Sequence, residues 1–184
     1  MSDPSAALRS SGSNEWGTPP ELLDLARQVL GPIDLDPASS PVFNQKVVQA
    51  RRFITAHEDG LTASWGSPRA IWLNPPGGIV GGRPTAVLFW ERLLERRLWP
   101  GFGHALFLGF STNILATTQD ARLSIMDFCF CVPRRRLAFI REDGSPAGQP
   151  THHNVVCYVP GRIDETERFI EVFEPLGAIA GDRP

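Results

Sequence analysis

The chain has 184 residues, a net charge of −2, 42% hydrophobic and 21% charged residues. That is enough for one domain with a full-sized core, and the charge balance argues against a general polyanion binder. No apolar run approaches bilayer length, and the opening "MSDPSAALRSSGSN" lacks the apolar centre of a signal peptide. The expectation is a soluble cytoplasmic protein without membrane contact, with residues 1–14 as a disordered tail and residues 15–184 as a single domain.

In chain order, "TPPELLDLARQVLG" predicts a helix. Thr18 is the expected N-cap, Pro19 takes the first helical position and Gly31 closes the end. Leu22, Leu25, Ala26 and Val29 recur at helical spacing. "PIDLDPASS" reads as a short strand that breaks at Asp36-Pro37. "NQKVVQARRF" fits a weak helix or a strand. "RAIWLNPP" predicts a buried strand stopped by its prolines, which cannot donate to a ladder. "GGIVGGR" reads as a mobile glycine-rich loop. Pro84 opens the longest helix, "PTAVLFWERLLERRLW". "HALFLGF" and "IMDFCFCV" read as further strands, separated by "STNILATTQDARL", a capped helix or a loop with one helical turn. "RLAFI" and "NVVCYV" read as a hairpin-like pair joined by a long connection, and "DETERFIEVFEPLG" as a final helix capped by Asp164. Strands alternating with helices imply an α/β fold. Its sheet should be mostly parallel with an antiparallel edge and helices on both faces.

Three cysteines are too few for a disulfide framework. Cys129 and Cys131 alternate on one strand face and read, with Cys157, as small buried hydrophobes. His152 and His153 are adjacent and would point to opposite sides of a strand, so no metal site is expected. Lys46 is the one lysine, all other basic residues being arginine. Arg134, Arg135 and Arg136 form a run that suits either a solvated face or phosphate contacts.

In open α/β sheets, ligands sit at the carboxyl ends of the strands. Two predicted strand ends are polar here. Asp36-Pro37 is a turn starter or an acceptor for a ligand's amino or hydroxyl groups. Asn74-Pro75-Pro76 is more telling. Neither proline has an N–H, so the exit from the strand is rigid and extended. Its carbonyls and the Asn74 side chain are left to accept from something else, and an exocyclic nucleobase amine has the two N–H groups that would match.

"EWGTPPELL", "DLDPASSPVFNQKVVQARRF", "EDGLTASWGS", "IWLNPPG" and "PRRRLAFI…GQPTHH" occur in an order that resembles phage-type DNA N6-adenine methyltransferases. The resemblance covers roughly residues 14–160. It implies a Rossmann-like fold using S-adenosylmethionine, with DNA as partner and a bacterial host or prophage setting. It also implies that Thr18 and Pro19 lie by the methionine end of the cofactor, and that Asp36, Pro37, Ala38 and Asp59 complete the cofactor site. Asn74, Pro75 and Pro76 become the catalytic motif, acting on a base flipped out of its stack. Family members carry an aromatic ring where this chain has Gly77, and Phe110 is the first candidate to replace it, Trp90 the second. Arg134, Arg135 and Arg136 are implied to lie at the pocket mouth, on the DNA side. The missing ring keeps a second reading open: a catalytically silent relative that binds nucleic acid or protein. The length leaves no room for a separate specificity domain, so a short recognition site is expected.

Overall fold

The computed structural model describes residues 16–148 and 152–181. The expected tail, 1–14, lies outside the described residues.

The elements run α1 (Pro20–Leu30), β1 (Leu35–Asp36), α2 (Pro41–Phe43), β2 (Arg52–Phe53), β3 (Ala70–Leu73), β4 (Ile79–Val80), β5 (Arg83–Pro84) and α3 (Thr85–Arg97). Then come β6 (His104–Gly109), α4 (Ile114–Thr117), β7 (Phe130–Pro133), β8 (Val155–Pro160), α5 (Thr166–Phe173) and β9 (Gly177–Ala180). Seven strands form one sheet in the order β2-β1-β3-β6-β8-β7-β9. From β2 to β6 every pairing is parallel, and from β6 to β9 every pairing is antiparallel. The sheet is therefore mixed half and half, which corrects the expectation of a mostly parallel sheet with one antiparallel edge.

The core lies in two layers. Leu22, Leu23 and Ala26 of α1 and Phe169 and Phe173 of α5 pack on one face of the sheet, against Trp72, Leu106 and Leu108. Val87, Phe89, Trp90 and Leu93 of α3 cover the other face, against Ile71, Leu73 and Phe107. Side chains alternate across a strand, so even-numbered residues of β3 and β6 face α1 and odd-numbered ones face α3. Cys129 and Cys131 share the α1 face as expected, and Cys157 lies on the other. All three are buried, and burial pushes the Cys131 thiol up to about 12.

Several local expectations change. α1 starts one residue later than Thr18 would place it. Pro19 is its N-cap, with no side-chain hydrogen bond, and the Thr18 hydroxyl is used elsewhere. Gly31 closes the helix at φ 69°, as its type predicts. "NQKVV" forms a π turn, Asn44–Val48, before β2. "GGIVGGR" is a two-stranded hairpin, β4 with β5, and not an irregular loop. Gly81 and Gly82 at its tip have φ 57° and 79°, the left-handed pair that tight hairpin turns require. Arg83 ties it to α3 through two contacts to Glu91, at 3.0 and 2.6 Å. "RLAFI" forms no strand. Ile140 alone makes bridges, to Gly17 and Pro146, and the hairpin partner of β8 is β7. Asp164 lies before the N-cap Glu165, but its Oδ1 accepts from the Thr166 N–H at 3.0 Å and so still caps α5. Among the described residues no helix is long and apolar enough to cross a membrane.

Candidate active site

Buried β3 delivers Asn74 to the carboxyl edge of the sheet, on the same face as Trp72. There the Asn74 Nδ2 donates to the Thr18 Oγ1 at 3.3 Å. Thr18 is only 3% exposed, so this is a buried strut and not a surface contact. Because Nδ2 is engaged, Oδ1 remains as the acceptor of the amide. Pro75 is buried, whereas Pro76 and Gly77 are exposed. A Cβ on Gly77 would meet nothing within 4 Å, so the place of the missing ring is open space. Pro19, adjoining Thr18, serves as the first carbonyl of α1, accepting from Leu22 N–H.

The other polar strand end has a different character. Asp36 is 2% exposed, and burial raises its carboxyl to about 7, partly offset by hydrogen bonds from the Ala38 N–H and from Ser39. Ala38 N–H reaches the Asp36 Oδ1 at 3.0 Å across Pro37, so the turn-starter role is real. Among the described residues no cationic side chain acts on this carboxyl. A Cβ on Gly60 would lie 2.0 Å from the Pro37 carbonyl oxygen, so glycine is required for the two loops to meet. That contact brings Asp59 beside the Asp36 loop. The Asp59 carboxylate has a local task, however: Oδ1 accepts from Leu61 N–H at 3.0 Å and Oδ2 from the Thr62 hydroxyl at 3.2 Å. Asp59 itself sits at φ 59°, a left-handed conformation that Asp tolerates in turns.

Phe110 follows β6 with the parity of Leu106 and Leu108, which puts it on the same face as Asn74. Its ring lies 5.9 Å from Trp16, 5.7 Å from Phe139 and 5.2 Å from His152. Trp90 is fully buried, edge-on to Phe107 and Phe128, with its Nε1 donating to the Leu123 carbonyl at 2.9 Å. That removes it as a replacement ring.

Arg134, Arg135 and Arg136 are all exposed. Arg134 Nη1 donates to the Pro175 carbonyl at 2.7 Å, after the C-terminus of α5, so this arginine has a structural task. Next along, Leu137 N–H donates to the Asn154 Oδ1 at 3.2 Å, and the Asn154 Nδ2 donates to the Phe110 carbonyl at 2.8 Å. Asn154, 1% exposed, thus ties the arginine segment to the end of β6. Gly17 completes the enclosure by exchanging two hydrogen bonds with Ile140, at 2.8 and 3.0 Å. Trp16, Gly60 and Asn154 also shape the site, beyond the residues expected from the sequence. The available signals were a tryptophan two residues before Thr18, a glycine following Asp59, and an asparagine heading a buried strand. Among the described residues no cluster of potential metal ligands occurs.

The site can be set beside known proteins. The family model for DNA N-6-adenine-methyltransferase (Dam) matches residues 5–80, which hold Thr18, Asp36, Asp59 and Asn74-Pro75-Pro76. No curated protein matches the chain. A crystal structure from Listeria monocytogenes, described as a candidate class I S-adenosylmethionine-dependent methyltransferase, superposes with a TM-score of 0.51 at 13% identity. The fold is of the class I methyltransferase kind. That alignment covers 85% of this chain and 64% of the Listeria chain, so this chain spans under two thirds of that neighbour's length. The two comparisons together support S-adenosylmethionine as the cofactor of this methyltransferase fold.

Proposed function

We propose that the chain is an S-adenosylmethionine-dependent DNA methyltransferase that modifies an exocyclic amine, with adenine N6 as its target. One observation carries the reading: the Asn74 amide, pinned by Thr18, holds Oδ1 as an acceptor at a rigid strand end beside the Pro75 carbonyl. Two acceptors on a base amine take up both N–H hydrogens and direct the nitrogen lone pair away from them. This is catalysis by orientation and by fixed dipoles, which need no reorganisation during the reaction.

The residues present fit the cofactor. Asp36 is a buried carboxyl on which, among the described residues, no cationic side chain acts, and the ammonium of an amino-acid moiety is its natural complement. When bound, S-adenosylmethionine supplies an electrophilic methyl on a sulfonium. Asp36 would hold it through the ammonium, while Pro37, Ala38 and the abutting Gly60 shape the loop around it. Asn74 and Pro75 keep the amine aimed during attack. The proton that the nitrogen then sheds leaves to water. Arg135 and Arg136, exposed beside the segment tied to Phe110, suit phosphate contacts with the DNA backbone.

A second reading is supported by Gly77. With open space where a stacking ring would stand, the chain could keep the fold as a silent nucleic-acid- or protein-binding module. Incubation with unmethylated DNA and S-adenosylmethionine, followed by nucleoside mass spectrometry, separates the two. N6-methyladenine is the expected product. Cofactor binding without methylation of any DNA favours the silent module.

A further inference from the structure

The open space at Gly77 leaves a flipped base without a stacking partner from the motif itself. The segment Trp16-Gly17-Thr18 lies alongside. Gly17 pairs with Ile140 in an antiparallel bridge, so the segment is extended there. A Cβ on Gly17 would fall 2.3 Å from Phe43 Cε1 and 3.1 Å from Ile140 Cγ1. That side of the segment is therefore filled. Residues two apart in extended chain project to the same side. Thr18 projects to Asn74, so Trp16 leaves the chain on the Asn74 side, about 7 Å along.

The ring contacts agree with this placement. Trp16 packs edge-on to Phe110, which shares the face of Asn74, and tilts against Phe139 at 6.4 Å. Phe110, half-buried like Trp16, touches three rings, Trp16, Phe139 and His152, and so braces the indole through its edge-on contact. Phe139 is buried and Trp16 is half-buried, leaving part of the indole open. An indole is the largest π-face the chain could offer a purine, and base stacking needs no hydrogen-bond readout.

We infer that Trp16 stacks on the target base and supplies the ring that Gly77 lacks, with Phe110 as its backing. This rests on the methyltransferase reading above. The same strut then serves two ends: Thr18 orients the acceptor for the amine while Trp16, two residues earlier, holds the plane of the base.

The test measures methyl transfer to unmethylated genomic DNA and, separately, calorimetric binding of S-adenosylhomocysteine. Trp16→Leu and Trp16→Met are expected to lower kcat/KM for DNA by about five- to 150-fold, with S-adenosylhomocysteine affinity unchanged. Trp16→Phe keeps activity within a few-fold of wild type. Gly77→Tyr restores part of the activity in the Trp16→Leu background but gains nothing in the wild type, where the stacking place is already served. Two results overturn the inference: wild-type turnover in Trp16→Leu or Trp16→Met, or losses matched by equal losses in S-adenosylhomocysteine affinity, which would assign the ring to the cofactor. Should both variants melt below the assay temperature, Gly77→Tyr alone decides, since a gain above tenfold would show the place to be empty. A wild type that binds S-adenosylhomocysteine and methylates no DNA overturns the functional reading, and this inference with it.

Discussion

Two strands of the parallel half end alike in sequence, Leu35-Asp36-Pro37 and Leu73-Asn74-Pro75, yet they are built for different work. Asp36 folds back on its own loop, held by the Ala38 N–H at 3.0 Å, and burial keeps its carboxyl near 7. Asn74 reaches across 56 residues of chain to Thr18 and carries no charge. A strand end closed by its own turn can hold a latent charge in a dry setting. A strand end braced from outside fixes the direction of a neutral dipole. The first suits gripping a cation, the second aiming an amine.

The sharpest way to break this contrast is Asn74→Ala. Losing a preorganised dipole at the reacting centre costs on the order of a hundred- to a thousandfold in kcat, so methyl transfer should fall to background in nucleoside mass spectrometry. Cofactor affinity by calorimetry should stay within a few-fold of wild type. Equal losses in both would show that the two strand ends are one site energetically.

Asp36→Ala should do the reverse, weakening S-adenosylmethionine binding about ten- to a hundredfold. The pH dependence sharpens the point. Gripping an ammonium requires the ionised carboxylate, so affinity in the wild type should rise with pH and level off above about 7; Asp36→Asn should flatten that profile. Stability without cofactor runs the opposite way. A carboxyl with a raised folded pKa holds more proton when folded. Its contribution is whole below the ordinary carboxylate range and lost as pH rises through about 7, by about 1.4 kcal/mol per pH unit at most. Thermal unfolding at pH 5 and pH 8 should therefore show a smaller drop in Asp36→Asn than in wild type.

Asp59→Ala is expected to have a smaller effect. Its carboxylate is spent on Leu61 and Thr62, so the main loss is loop order, and cofactor affinity should fall by less than about tenfold. A fall as large as that of Asp36→Ala would mean the carboxylate leaves its turn to meet the cofactor. Smallest of all, Arg135→Ala and Arg136→Ala should each lower the salt slope of DNA binding by up to about one unit. Arg134→Ala should instead lower the melting temperature, because its guanidinium holds the Pro175 carbonyl at 2.7 Å. A salt slope unchanged in all three marks the run as a solvated face.

What could be read in advance follows from local chemistry. Proline and glycine announce where β3 stops and α1 ends, because their backbone limits need no partner to act. Alternation with helices made the parallel half legible. The antiparallel half was not, since β9 has no clear alternation and "LAFI" has the composition of a strand but forms β-bridges only through Ile140. Thr18 had every mark of an N-cap. Its hydroxyl went to Asn74 because Pro19 could take the cap position without a side-chain bond. Trp16 has no local signal either: its ring neighbours are Phe110 and Phe139, and long-range pairing leaves no periodic trace. Asp36 ends its strand, as the following proline implies, but that Asp59 satisfies its own turn depends on a φ of 59° that composition does not reveal.

The three buried cysteines carry a practical consequence. With burial raising Cys131 to about 12 and Cys157 well above its ordinary value, these two hold almost no thiolate near neutrality, and Cys129 is shielded from solvent. Thiolate is the form that alkylating reagents and peroxide attack. The folded chain is thus nearly silent to maleimides, and a single cysteine placed at the tip of the β4–β5 hairpin, Gly81→Cys or Gly82→Cys, would become its one fast-reacting handle. A fluorophore fixed there, a few residues from Asn74, would report nucleic acid arriving at the strand end with little background from the native thiols.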